Sequence, residues 1–157
     1  MKRTDIEIMA PVGCYESLHA AINAGANSVY FGIGRLNMRS ASAANFSEKD
    51  LEQIVEIAHK AGVKTYLTIN TIIYDDELQV MQEVVNKAKA VGVDAIIASD
   101  LAVITYAYHA GVEVHISTQC NISNSEAVKF FSQWADVVVL ARELSLEQIA
   151  AVHKAIV

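Results

Sequence analysis

Small polar side chains cluster between positions 115 and 128, which read HISTQCNISNSEAV. The stretch begins like a strand and ends like a helix, and a simple turn between the two needs no such cluster. Hydroxyl and amide groups of this kind can hydrogen-bond a substrate and polarise a carbonyl group. The sequence therefore predicts Gln119 as a candidate catalytic residue, and Ser117, Thr118 and Asn121 as candidate substrate-binding residues.

Further candidates follow three other apolar stretches. Asn70 and Asp100 each end an apolar run, where a polar side chain could act in catalysis or could cap the next helix. Arg142 and Glu143 follow the last apolar run and could act in catalysis, or could pair with each other or with neighbouring loops. All four are predicted as candidate catalytic residues.

The long polar segment at 34–47 reads GRLNMRSASAANFS and carries two arginines. An arginine can bind a carboxylate or an RNA phosphate through paired hydrogen bonds, although a solvated loop explains these residues about as well. We predict Arg35, Asn37 and Arg39 as substrate-binding candidates.

Cysteine and histidine chemistry is weakly indicated. Cys14 and Cys120 both follow predicted strands and could approach each other, but they form no C-x-x-C pair. A catalytic thiol needs a nearby histidine, and the strand-end loops carry none. His115 lies in the middle of a predicted strand, where a packed core histidine is the simpler interpretation. We predict no metal site.

The elements that position these residues alternate regularly. Four segments end a helix with glycine and start a strand two or three residues later: NAGANSVYFG, HKAGVKTYLT, KAVGVDAIIA and YHAGVEVHIS. Apolar spacing predicts helices that include 47–61, opened by Ser47 and Asp50 as a variant capping box, and 75–91, with Asp75 and Asp76 at its positive end. The predicted strands are 7–11, 28–32, 64–70, 94–100, 113–118 and 136–141.

Strict alternation of apolar strands and helices predicts an α/β fold with parallel strands. A doubly wound sheet usually carries a glycine-rich phosphate loop, and GIGRLN has Asn37 where the third glycine should stand. We therefore predict a partial (β/α)8 TIM-type barrel with about six of its βα units. Residues 1–157 would form the amino-terminal part of the barrel domain, and the carboxy-terminal remainder would be absent from this chain. The polar strand ends would then share one face, where such barrels carry their active sites.

Composition narrows the functional class. The 157 residues are 53% hydrophobic with a net charge of −6, which argues against disorder and against a broad nucleic-acid surface. No apolar run approaches the ~18 residues that span a bilayer, and the amino terminus does not resemble a signal peptide. We expect a cytoplasmic protein without membrane contact.

Six blocks in order carry a family resemblance: EIMAPVG, SVYFGIGRLNMRSASAANFS, KTYLTINTIIYDDEL, DAIIASDLAVI, HISTQCNISNSEAV and VVVLARELSLEQI. Together they closely resemble the amino-terminal part of the collagenase-like peptidases of family U-32, over nearly the whole chain. The resemblance implies a peptidase. Several members of that family instead support hydroxylation of RNA bases or of a quinone ring, with an iron–sulfur cluster on four cysteines beyond the matched region.

Three hypotheses follow. The first is a peptidase that binds an extended peptide at the strand ends. The second is the substrate-positioning part of an iron–sulfur-dependent RNA-base or ubiquinone hydroxylation factor. This chain could not hold such a cluster alone, because a cluster normally needs four thiolates. The third is a non-catalytic assembly module, since six strands leave two open edges. We expect a homo-oligomer, or a carboxy-terminal part that completes the barrel, and an isolated chain with little or no proteolytic activity.

Overall fold

The computed structural model describes residues 6–38 and 46–156. Within them, six strands alternate with six α-helices, as the sequence predicts. The strands are β1 (Met9–Pro11), β2 (Ser28–Phe31), β3 (Lys64–Ile69), β4 (Ala95–Ala98), β5 (Glu113–Ile116) and β6 (Val137–Val138). The helices are α1 (Tyr15–Asn23), α2 (Leu51–Lys60), α3 (Leu78–Val91), α4 (Leu101–Ala110), α5 (Ser125–Phe131) and α6 (Leu146–Ile156).

The strands form one parallel sheet in the order β1-β2-β3-β4-β5-β6. A doubly wound sheet would reverse its strand order at a switch point, and this order never reverses. The sheet curls into a half-barrel with its helices outside. The predicted TIM-type architecture is confirmed.

The convex face of the sheet carries the main core. Side chains such as Phe31, Leu67, Ile96 and Ile116 are fully buried between the strands and the helices. Burying each of these large apolar side chains contributes roughly 1.5–3 kcal/mol. This layer holds the strand ends in a fixed arrangement.

Two helices start later than their patterns predict, because a turn precedes each. Asp50 Oδ2 accepts hydrogen bonds from the Ser47 N–H at 2.8 Å and the Ser47 hydroxyl at 2.6 Å. These bonds close a turn ahead of α2, which begins at Leu51 and not at Ser47. Residues Asp75–Glu77 likewise form a 3₁₀ turn before α3. The Tyr74 N–H donates to the carboxylate of Glu77 at 3.2 Å, which stabilises this turn.

Strand ends also differ from prediction. β6 covers Val137–Val138, whereas 136–141 was the predicted span. The chain beyond it leaves the β5 ladder, since Leu140 pairs with Ile122 in the loop that follows β5. In the described residues, no helix is both long and apolar enough to cross a membrane.

An acceptor side chain precedes every second strand. Asn27, Asp94 and Asp136 stand immediately before β2, β4 and β6. Each accepts the backbone N–H of a residue at the start of the previous strand: Ile8 at 2.8 Å, Thr65 at 2.7 Å and Val114 at 3.1 Å. We call these three contacts the Asx clamps.

The clamp at Asp94 involves two further groups. Asp94 Oδ2 lies 2.8 Å from His59 Nε2, and it accepts the Thr65 hydroxyl at 2.9 Å. Partial burial acts to raise the pKa of Asp94, but these hydrogen bonds outweigh it and hold the pKa below its ordinary value. The carboxylate is therefore the form that fastens β3 to β4.

Candidate functional site

A cavity of about 300 Å³ opens on the concave face of the half-barrel, at the carboxyl ends of its strands. Such strand ends carry the active sites of TIM-type barrels. Four predicted site residues line it: Asn70, Ser117, Thr118 and Gln119. We call this cavity the mouth cavity. The structure therefore places Asn70 beside three residues of the polar cluster after β5, as the strand-end positions predicted.

Asn70 connects the mouth cavity to the loop after β2. It directly follows β3, is half-buried, and its Oδ1 accepts the backbone N–H of Met38 at 3.2 Å. Its backbone carbonyl accepts the Ser99 hydroxyl at 3.1 Å. Within the part of the chain that the structure describes, the side-chain amide Nδ2 of Asn70 donates no hydrogen bond, which leaves a donor for a carbonyl oxygen of a ligand.

The cluster after β5 forms a single 3₁₀ turn, Thr118–Cys120. The buried Ser117 caps this turn through its Oγ, which accepts the Gln119 N–H at 3.3 Å. Gln119 is exposed, and its Oε1 accepts the Ser99 hydroxyl at 3.4 Å. Asn121 ends the turn in the left-handed region, with φ of 48°. It is exposed and does not line the mouth cavity, so its predicted role in substrate binding is not tested by the geometry.

Asp100 is engaged as a helix cap. Its Oδ1 accepts the Ala102 N–H at 2.8 Å at the start of α4, and its Oδ2 accepts the Ile73 N–H at 3.1 Å from the loop after β3. Asp100 does not line the mouth cavity. The sequence left open a catalytic role and a helix-capping role for Asp100, and the hydrogen bond from Ala102 shows that it caps α4.

We expect Asp100→Ala to lower the free energy of unfolding by about 2 kcal/mol, because it removes a helix cap and a loop hydrogen bond. Asp100→Asn should lose about half as much, since the amide offers one acceptor oxygen for two N–H donors. Urea denaturation followed by circular dichroism measures both. The exposed Asp76→Ala is the matched control. Equal stability of Asp100→Ala and wild type would contradict the capping role.

Of the site residues predicted in the loop after β2, Arg35 and Asn37 do not line the mouth cavity, although Gly32 and Met38 of the same loop do. Arg35 is exposed and lies 3.9 Å from the Glu77 carboxylate. Asn37 is only 1% exposed, and its Nδ2 donates to the carbonyls of Ile33 at 3.1 Å and Gly34 at 3.2 Å. Asn37 therefore holds the loop in shape. Arg39 lies outside the described residues.

Arg142 and Glu143 lie in a turn after β6. Both side chains are exposed, and neither lines a described cavity. Neither residue lies with Asn70 and Gln119 at the mouth cavity, and the two side chains form no ion pair with each other. Their catalytic role stays a prediction.

The two cysteines are free thiols. Burial raises the pKa of the Cys120 thiol, whose Sγ lies 3.5 Å from the Ser99 carbonyl oxygen. A raised pKa favours the neutral thiol, which is a poor nucleophile. Cys14 precedes α1, and its N–H donates to Ser17 Oγ at 3.1 Å. The described residues contain no group of three or more His, Cys, Asp or Glu side chains able to hold a metal ion.

The sequence analysis missed the walls of the mouth cavity. Met9, Tyr30, Thr68, Ile97 and Val139 line it together with the polar residues. Each stands on the concave face, which alternate strand positions share. That alternation was a usable signal, but apolar residues on both faces of the strands concealed it.

The chain is similar in sequence to a described protein family and to several known proteins. The family model described as Peptidase family U32 matches residues 13–156. A collagenase of Porphyromonas gingivalis is 58% identical over 157 residues, which cover 100% of this chain and 38% of the relative. The 23S rRNA 5-hydroxycytidine C2501 synthase of Escherichia coli is 38% identical over 151 residues, 96% of this chain and 23% of the relative.

Among solved structures, the U32 peptidase Mk0906 matches with a TM-score of 0.80 at 13% identity. The match covers 96% of this chain and 65% of that chain. At this identity the likeness concerns the fold alone. The chain spans well under half the length of the two sequence relatives.

Proposed function

The chain belongs to peptidase family U32, and from this premise we propose that it forms the substrate-binding part of a peptidase. An extended peptide would lie across the mouth cavity, at the carboxyl ends of the strands. The observation that carries this proposal is the convergence of uncharged amide and hydroxyl groups on that cavity. The 58% identity to a protein named collagenase supports the choice of peptide as substrate.

The mouth cavity offers two kinds of contact to a peptide. Asn70 and Gln119 carry amide groups that can donate to a peptide carbonyl and accept from a peptide N–H. Met9, Tyr30 and Ile97 give an apolar wall for a side chain. Because no Lys, Arg, Asp or Glu is among the described residues that line the cavity, this lining favours an uncharged group. We assign Asn70 and Gln119 to carbonyl polarisation, and Ser117 and Thr118 to positioning.

Hydrolysis needs an activated nucleophile, and the described residues that line the mouth cavity include no nucleophile paired with a base. Cys120 is the nearby thiol, and burial raises its pKa. We therefore propose that groups outside these 157 residues complete both the barrel and the reaction. The contributions of Arg35, Asn121, Arg142 and Glu143 would lie beyond the mouth cavity, along a longer substrate, and Arg39 stays a substrate-binding candidate. The proposed place of action is the cytoplasm.

The test is peptide cleavage by the full-length gene product. We expect Asn70→Ala and Gln119→Ala each to lower kcat/KM on a gelatin-derived peptide by about 10²-fold, the loss typical of a missing oxyanion donor. The exposed Asn23→Ala and Gln82→Ala are controls of the same residue types. Normal cleavage by both site variants would overturn the assignment.

A second function is favoured by one observation, the combination of uncharged amides with the ring of Tyr30 in a cavity of about 300 Å³. A nucleobase can stack on an aromatic side chain and hydrogen-bond to amides. The relative at 38% identity is named as an rRNA 5-hydroxycytidine synthase. We propose RNA-base hydroxylation as the alternative, with ubiquinone as a further planar substrate.

An iron–sulfur cluster does not fit the residues of this chain. The sequence holds two cysteines, a cluster normally needs four thiolates, and the described residues contain no ligand cluster. Any such cluster would be bound outside this segment. Mass spectrometry of RNA nucleosides and of quinones from a deletion strain tests the alternative. If RNA modification and quinone levels in the deletion strain are unchanged while peptide cleavage is lost, the hydroxylation alternative is excluded and the peptidase proposal stands.

A further inference from the structure

Ionisable side chains line the concave face at the end opposite the mouth cavity. The Tyr66 hydroxyl on β3 donates to the Glu7 carboxylate at 2.6 Å, just before β1. The Tyr66 ring meets the His115 ring of β5 edge-on, with centroids 4.7 Å apart. His115 Nε2 in turn lies 2.8 Å from Glu113 Oε1. We call these four residues, with Lys64, the floor cluster.

The floor cluster is built from alternate strands. Its members lie before β1, on β3 and on β5. The interior of a TIM-type barrel is filled in layers of four side chains, each layer drawn from alternate strands. Three of the four strands that build this layer are present. The fourth would lie between the free edges of β6 and β1, on the open side of the half-barrel.

Both edges that bound the open side expose apolar residues. Met9 on β1 and Val137 on β6 are 43% and 41% exposed. β1 pairs only with β2, and β6 only with β5, among the described strands. Unpaired strand edges with exposed apolar side chains recruit further strands. The open side is therefore suited to accept a strand.

Charge in the floor cluster is unbalanced. Lys64 Nζ lies 4.0 Å from Glu7 Oε2, whereas the partner of Glu113 is a histidine, which is charged only when protonated. The side chains of Glu7 and Glu113 are 42% and 46% exposed. A strand closing the barrel would remove water from both carboxylates. Buried carboxylates need a cation or hydrogen-bond donors to remain charged.

We propose that the segment closing the barrel carries a parallel strand with an inward-facing lysine or arginine that binds between Glu7 and Glu113. This strand would fill the fourth place of the layer. A second copy of the chain fits less well, because two half-barrels would enclose twelve strands. A twelve-stranded barrel is too wide for side chains to fill. The proposal rests on completion of the barrel and not on the reaction that the barrel catalyses.

The test uses the chain and a separately encoded probe. The probe is the part of the Porphyromonas gingivalis collagenase that directly follows its matched region, co-expressed with the tagged chain. We expect the probe to co-purify with the wild-type chain. Glu7→Gln combined with Glu113→Gln should weaken binding about tenfold at low salt, and the difference should shrink at high salt, as for an ion pair.

Controls separate charge from folding. Glu52→Gln changes an exposed carboxylate on α2 in the same way and should bind the probe like wild type. In a second series the chain is wild type, and each lysine or arginine of the probe is replaced by methionine, one at a time. We expect one of these replacements to weaken binding about as much as the double substitution in the chain. Equal binding by the double variant, no binding of the probe, or self-association of the chain that excludes the probe would each overturn the proposal. Peptide cleavage is not a readout here, so failure of the peptidase assignment leaves this result intact.

Discussion

Phe46→Ala is expected to lower the free energy of unfolding by about 3–5 kcal/mol, the range for removing a buried phenylalanine. Phe46 is buried, and its ring meets Phe31 at 6.0 Å and Tyr15 at 5.4 Å, both edge-on. Its carbonyl accepts the Gly34 N–H at 3.2 Å. The ring therefore ties the end of the long loop after β2 to β2 and α1.

The measurement is urea denaturation followed by tryptophan fluorescence and by circular dichroism. Phe130→Ala is the matched control, because Phe130 is 47% exposed on α5 and should lose less than half as much. Phe46→Leu should recover most of the stability by refilling the volume. A loss for Phe46→Ala no greater than that of Phe130→Ala would show that the aromatic contacts do not hold the loop.

Gly32→Ala is expected to destabilise the protein by roughly 2–4 kcal/mol through overpacking and a disrupted hydrogen bond. A Cβ at position 32 would lie 2.2 Å from Asn37 Cγ. Asn37 has little room to move, because it is buried and its Nδ2 holds the carbonyls of Ile33 and Gly34. The added methyl group must therefore displace the loop beside the mouth cavity.

A double-mutant cycle tests the cause. Asn37→Ala removes the atoms that the new methyl group would meet, so adding Gly32→Ala to Asn37→Ala should have a much smaller effect than adding it to wild type. The coupling should exceed about 1 kcal/mol. Additive effects of the two substitutions, measured by thermal denaturation, would contradict direct contact. Gly25→Ala is unsuitable as a control, because Gly25 has a φ of 81°.

The barrel class was accessible from the sequence, whereas the length of β6 was not. Gly92 and Gly111, with φ of 84° and 73°, end α3 and α4 in the left-handed region and mark the return of the chain to β4 and β5. The length of β6 depends on the pairing of Leu140 with Ile122. That pairing is set by tertiary contacts, so local pattern could not give it.

The sequence likewise predicted the position of some residues of the candidate site and not of others. Position at a strand end was enough to bring Asn70 and Ser117 to the mouth cavity. It was not enough for Asn37, whose burial against Gly32 depends on the path of a long loop. The floor cluster was missed because Glu7 and Tyr66 are distant in sequence, and only the strand register brings them within 2.6 Å.

The Asx clamps show that the true period of this chain is longer than its secondary structure suggests. Helix and strand recur once per strand, but Asn27, Asp94 and Asp136 occur before β2, β4 and β6. β3 and β5 begin instead with Lys64 and Glu113, which face the interior. The chain is thus composed of three two-strand blocks. Inserting or deleting a whole two-strand block would leave every remaining Asx clamp intact. Inserting or deleting one strand would place each remaining Asn or Asp side chain next to a strand with which it forms no clamp.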